Sequence, residues 1–260
     1  MKSIKILIKR LLLYAALWLG PVVLAAVALV VSGVYDKDSF WDSGMVPWLL
    51  LLGNTLVAVV FLAKNYVIKD LGRIQRPDLL PMIGMALLIF LGWVFPETFL
   101  QNLLDIPMEL SDEEFDQLAG GIAGTIDTAF IGPIVEEIIF RGLILGTLLT
   151  LIRRPWIAIL ISALVFGAIH MTSSQLLFGG LYGLLLGWLF WRTGSIWPGV
   201  IIHVANNSTA MLLPDAWWDA VDNLTPAWQI PVTILCLGLL FIGLRWYYVK
   251  YPPLSSENNE

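Results

Sequence analysis

Apolar runs separated by short polar stretches recur along the whole chain, and eight of them approach the roughly 20 residues that an α-helix needs to cross a bilayer. They cover approximately Leu11–Val34, Met45–Ala63, Leu80–Leu100, Ala119–Thr150, Pro155–Met171, Gln175–Trp191, Ser195–Leu213 and Ala227–Val249. The pattern predicts an all-α, polytopic transmembrane bundle of about eight spans. Ala26-Val27-Ala28 after a Lys-rich start resembles a signal-cleavage site. The apolar run continues past it and is longer than a signal h-region, so it reads as a first transmembrane helix.

Local signals refine this picture. The fourth run is too long for one straight span, and Gly132-Pro133 is a natural break, which predicts a kinked helix or two pieces. In the sixth run Gly179, Gly183 and Gly187 recur every four residues, a small-residue face for close helix packing. Ser111 and Glu114 form a capping-box signature that predicts a helix start. The polar tail from Ser255 reads as unstructured. Three regions follow: 1–118, N-terminal spans and an acidic loop; 119–213, a core carrying the unusual polar residues; 214–260, a last span and the tail.

Composition supports the class: 58% of residues are apolar and 13% charged, with a mean hydropathy of +0.80. A soluble domain is nearer half apolar and a quarter charged. The charges are segregated. With the N-terminus inside, Lys2, Lys5, Lys9, Arg10, Lys64, Lys69, Arg73, Arg76, Arg153, Arg154, Arg192, Arg245 and Lys250 fall on the cytoplasmic side, 13 of the 15 basic residues. The outer loops are acidic, with Asp36, Asp38, Asp42, Asp105, Glu109, Asp112, Glu113, Glu114 and Asp116. Both termini are therefore expected in the cytoplasm. The basic residues form no separate domain, which argues against nucleic-acid binding. The single cysteine, Cys236, lies in an apolar run and reads as a small hydrophobe.

Ionisable residues inside spans cost roughly 2.5–3.5 kcal/mol each to insert, so they mark function by default. Here they are Glu97, Asp127, Glu136, Glu137, Arg141, His170 and His203, joined by Asn206 and Asn207. Residues four apart share a helix face, whereas neighbours diverge by about 100°. Glu137 and Arg141 can therefore neutralise one another, leaving Glu136 without a partner in its own helix. Phe166 and His170 share a face, as do His203 and Asn207. At ~1.5 Å per residue, Glu136 lies about 21 Å from Thr150, His170 about 22 Å from Pro155 and Asn207 about 18 Å from Ser195. Three helices thus bring polar groups to similar depth. The plainer alternatives are a structural Glu137–Arg141 ion pair and histidines that hydrogen-bond between helices. Glu97 and Asp127, nearer the outer ends, read as solvated or helix-capping, with Asp127 the more interesting because it precedes the break. Ser208 and Thr209 follow the asparagines, but no pattern marks either as a nucleophile.

These residues carry a resemblance. "EEIIFR" fits EExxxR at Glu136, Glu137 and Arg141; "FGAIH" fits FxxxH at Phe166 and His170; "HVANN" fits HxxxN at His203 and Asn207. In this order on successive spans they resemble the CPBP family, the CAAX-protease and bacteriocin-processing group of intramembrane proteases also called Abi proteins. The contexts "PIVEEIIFRG" and "GSIWPGVIIH" fit as well, and the resemblance covers about Gly132 to Met211. It implies a helical membrane protease that cleaves peptide bonds in or near the bilayer. The family includes enzymes that remove the last three residues of prenylated CAAX proteins and bacterial members tied to bacteriocin self-immunity and secretion.

The expected chemistry is hydrolysis of a peptide or membrane-protein substrate in the plasma membrane of a bacterial-type cell. Glu136 would act as general base on water oriented by His170, and His203 with Asn207 would face the oxyanion. Glu137 and Arg141 would support the helix. A competing version has Glu136, His170 and His203 supply three ligands to Zn²⁺, with an open position for water. No HExxH is present, and asparagine is an uncommon zinc ligand. A third possibility is a transporter or immunity scaffold that uses the same cluster for binding, although a transporter would more readily show paired broken helices.

Overall fold

Among the described residues, each of the eight apolar runs falls largely on a helix. The structure, a computed structural model, describes residues 2–32, 44–64, 66, 78–104, 106, 119–170 and 172–252, and no strand occurs among them. The helices are α1 (Lys2–Val31), α2 (Met45–Ala63), α3 (Leu79–Leu104), α4 (residues 121–151), α5 (Pro155–Ala168), α6 (Ser173–Thr193), α7 (Trp197–Leu212), α8 (Asp215–Asp222) and α9 (Pro226–Lys250). Helix α8 is short, and hydropathy does not mark it. The capping box at Ser111–Glu114 and the tail from Ser255 lie outside the described residues.

Five helices, α1, α2, α3, α6 and α9, are long and apolar enough to cross a membrane. The other three predicted spans differ for physical reasons. Helix α5 has 14 residues and α7 has 16. At ~1.5 Å per residue these extend about 21 and 24 Å, short of a ~30 Å hydrocarbon core. Helix α4 is long enough but carries Asp127, Glu136, Glu137 and Arg141. Many large apolar side chains of the long helices point outward, such as Leu24 at 71% and Ile234 at 65% exposure, the surface of a protein solvated by lipid.

Helix pairs pack through glycines. A Cβ on Gly53 of α2 would fall 2.3 Å from the Trp18 carbonyl oxygen of α1, and one on Gly92 of α3 would fall 2.4 Å from the Leu240 nitrogen of α9. The Gly179/Gly183/Gly187 face of α6 lies on α5 as its spacing predicts: Gly179 sits against Gly167, Gly183 against Ala163 and Gly187 against Ile159. Small residues let the backbones approach where lipid supplies no hydrophobic drive between helices.

The bundle has chemically distinct ends. At one end Arg10 donates to the Tyr66 carbonyl at 2.8 Å, Lys250 pairs with Asp78 at 3.1 Å, and Arg192 donates to the Tyr248 carbonyl. At the other end Asn102 Nδ2 donates to Asp222 Oδ1 at 2.7 Å, tying α3 to α8. Between these ends α7 packs on both α3 and α4, and α2 packs on α4.

Candidate active site

The expected break at Gly132-Pro133 takes another form. The chain stays helical from 121 to 151 but changes its winding: α at Gly121–Ile126, π at Asp127–Ile131, α at Gly132–Glu136, π at Glu137–Leu145 and α again at Gly146–Leu151. Such wide turns are rare and concentrate at functional sites. The first ends where the Gly132 N–H bonds the Asp127 carbonyl, five residues back. Pro133 then has no N–H to give. The carbonyls it would otherwise reach are Thr128, in π register, and Ala129, in α register. Helix α7 supplies the missing donors: Asn207 Nδ2 bonds Thr128 O at 3.0 Å and Ser208 Oγ bonds Ala129 O at 3.3 Å. The proline is tolerated because a neighbouring helix satisfies the freed backbone. Ser208→Ala is therefore expected to destabilise the protein by about 1 kcal/mol. The same change in a Pro133→Ala background, where the backbone can bond itself, is expected to cost markedly less in detergent unfolding.

This clamp sets the geometry of the charged residues. Glu137 is completely buried, and its Oε1 has two partners: Arg141 Nη1 at 2.9 Å and His203 Nδ1 at 3.0 Å. The arginine contact is electrostatic rather than an aligned hydrogen bond. Because a carboxylate only accepts, the His203 Nδ1 carries a proton. On its other side, His203 Nε2 lies 3.6 Å from Glu136 Oε2, beyond hydrogen-bond range. Glu136 is the more open carboxylate, its side chain 27% exposed against 0% for Glu137. Its Oε2 is nonetheless covered and has no hydrogen-bond partner.

Phe166 organises the remainder. Its ring meets Phe140 at 5.1 Å, His170 at 5.2 Å and His203 at 5.8 Å, all edge to face, and the Arg141 guanidinium carbon sits 4.3 Å above its centroid. The buried arginine thus adds a cation–π contact to its ion pair. His170 is not in a helix as expected but in the turn after α5, which ends at Ala168. Its Nδ1 faces the Phe166 carbonyl at 2.9 Å; a carbonyl only accepts, so Nε2 holds the free lone pair. Among the described residues no hydrogen bond or ion pair joins His170 to Glu136.

Glu137, predicted as a helix support, is thus also the carboxylate that orients His203. Gly199 makes room for it, since a Cβ there would lie 2.6 Å from Glu137 Oε2. Gly199→Ala is expected to cost about 1–3 kcal/mol in unfolding and to lower any turnover by displacing Glu137 from His203. Asp127, expected to be solvated or capping, instead accepts from Asn54 Nδ2 of α2 at 2.9 and 3.1 Å. Glu97 accepts from Gln101 Nε2 at 3.4 Å, within its own helix. Sequence reasoning missed Asn54 and Tyr182, which stands edge-on to His203 at 5.4 Å. A polar residue within an apolar run was the available signal for Asn54; Tyr182 gave none.

The metal reading needs Glu136, His170 and His203 around one point. Among the described residues no group of three or more His, Cys, Asp or Glu side chains could hold an ion. His203 has one nitrogen on Glu137 and turns the other to Glu136, while His170 lies across the Phe166 ring. As placed, these residues do not fit a three-ligand zinc site.

Comparison with known proteins agrees with the motif resemblance. The family described as type II CAAX prenyl endopeptidase, Rce1-like, matches residues 119–209. This span includes α4 to α7 up to Thr209 and every motif residue. The chain is also 34% identical over 188 residues to "Putative membrane peptidase YdiL" of Bacillus subtilis (strain 168), covering 68% of this chain and 75% of that protein. This likeness extends beyond the motif-bearing helices. No solved structure is significantly similar. With the EExxxR, FxxxH and HxxxN residues gathered around Phe166 and His203 in an integral membrane bundle, the chain belongs to the Rce1-like, or CPBP, family of membrane peptidases.

Proposed function

We propose that the protein is an intramembrane endopeptidase that hydrolyses peptide bonds of membrane-associated substrates, prenylated CAAX-type chains among the candidates. The observation that carries this reading is the pair of carboxylates on either side of one histidine. Glu137 is fully buried with its Oε1 held by Arg141 and His203, while Glu136 is partly open and its Oε2 only approaches His203, at 3.6 Å. The division of labour is that of a nucleophile–base–orienter triad, in which one acidic group fixes the histidine and another group faces the chemistry.

In this mechanism Glu136 takes a proton from water as the water oxygen attacks the scissile carbonyl. His170, its Nε2 lone pair free, orients the water. His203 in its protonated form keeps Nδ1–H on Glu137 and presents Nε2–H to the oxyanion beside Glu136. Asn207 has one amide hydrogen on Thr128 and a second for the same oxyanion. Breakdown of the tetrahedral intermediate returns the proton from Glu136 to the leaving amine. The polar ends of the bundle support a membrane orientation with both termini cytoplasmic, and α4, α5 and α7 would complete eight membrane-embedded segments around the site. The plasma membrane of a bacterial-type cell is the location that we propose.

The test is cleavage of prenylated and unprenylated peptides by the purified protein in liposomes, beside the Glu136→Gln variant. No cleavage by either would leave the binding-scaffold reading, and equal cleavage by both would remove Glu136 from the chemistry. Metal analysis of the active preparation decides the zinc version: full activity at substoichiometric metal removes it.

A further inference from the structure

Tyr182 of α6 is buried, 5% exposed, yet its hydroxyl has no hydrogen-bond partner in the protein. A buried phenol usually finds a partner, because an unpaired polar group in an apolar interior is costly. The ring is held on two sides, edge-on to His203 at 5.4 Å and tilted against Trp93 of α3 at 5.6 Å. His203, against which the ring stands, lies between the two carboxylates, its Nδ1 3.0 Å from Glu137 Oε1 and its Nε2 3.6 Å from Glu136 Oε2, so the tyrosine sits beside the charged groups of the site. The two oxyanion donors named above are each half committed, His203 through Nδ1 to Glu137 and Asn207 through one amide hydrogen to Thr128, whereas the Tyr182 hydroxyl has no partner in the protein.

We propose that Tyr182 is a further catalytic residue, a preorganised hydroxyl donor to the oxygen of the scissile carbonyl. This rests on the peptidase reading above. As water adds to the carbonyl carbon, the carbonyl π pair moves onto its oxygen. The Tyr182 O–H hydrogen-bonds that oxygen and keeps its own proton throughout. When the intermediate collapses, the pair returns and the amine leaves with the proton that Glu136 carried. A donor fixed by ring packing needs no reorganisation at the moment charge develops, which is the property that makes such donors effective. With no protein partner to compete for it, the hydroxyl can make its strongest hydrogen bond to the oxygen on which charge develops.

The experiment compares wild type, Tyr182→Phe and Glu136→Gln on one peptide in liposomes, with thermal unfolding of each. Tyr182→Phe keeps both ring contacts and removes only the unpaired oxygen. The expected result is a roughly 10²-fold loss of kcat with KM little changed and a Tm equal to or above that of wild type. A purely structural tyrosine would show the reverse, a lowered Tm with kcat retained, and that outcome overturns the proposal. So does unchanged kcat in Tyr182→Phe while Glu136→Gln is inactive, which leaves the peptidase reading standing. Full activity in Glu136→Gln would instead remove Glu136 from the chemistry, and no cleavage by wild type would sink the peptidase reading itself. As a second measurement, a fluorinated tyrosine at position 182 makes the hydroxyl more acidic without altering the fold. The rate is expected to shift with that acidity, and an indifferent rate counts against the donor role.

Discussion

Glu136→Gln is expected to lower the rate of peptide cleavage by about 10³-fold, the scale of a lost general base. The substitution is nearly isosteric and keeps a polar head where Glu136 now lies 3.6 Å from His203 Nε2. The negative charge is removed, and with it the ability to take a proton. Glu136 forms no aligned hydrogen bond through Oε2 and is the more exposed carboxylate, so folding should barely respond. KM should also change little, because the carboxylate acts on water rather than on substrate binding. Initial rates in liposomes, together with unfolding in detergent, check both halves. A rate within a few-fold of wild type would remove Glu136 from the chemistry.

Breaking the neighbouring pair should have the largest effect on stability. Arg141→Met leaves Glu137 fully buried and without its cation, and removal of one partner of a buried pair typically costs about 3–5 kcal/mol. It also strips the cation from the face of Phe166. Glu137→Gln combined with Arg141→Met removes both charges, so most of that stability is expected to return. Activity is not expected to return with it. Glutamine still occupies the place beside His203 Nδ1 but no longer offers a carboxylate to hold the protonated imidazole. A double-mutant cycle read by unfolding, beside cleavage rates for all four proteins, separates the roles. If the double variant regains activity with stability, Glu137 is only a structural partner.

Much of the site could be read from the sequence because helical spacing is a strong constraint. The four-residue interval from Glu137 to Arg141 predicts an ion pair, and the pair is present at 2.9 Å even inside a π-helical segment. The Phe166–His170 interval likewise predicts a contact, found as edge-to-face rings 5.2 Å apart. The glycine face of α6 was equally legible, because only small residues allow the approach seen at Ala163 and Gly167. The limits lay where one helix borrows from another. Nothing in "GPIVEEIIFRGL" says that Glu137 shares its oxygen with His203, 66 residues later in the chain.

The sequence by itself determined the class, the long helices and the charged members of the cluster, since burying a charge in apolar surroundings is too costly to happen without a reason. Only the tertiary structure decided how those charges are shared. Pro133 withholds one N–H, α4 winds into π turns on either side of Gly132–Glu136, and Asn207 and Ser208 cross from α7 to satisfy the freed carbonyls. That clamp brings His203 between two adjacent glutamates and gives them different surroundings. Spacing along one helix places side chains on its face. Which of them are buried, paired or left open depends on what the neighbouring helices bring to that face.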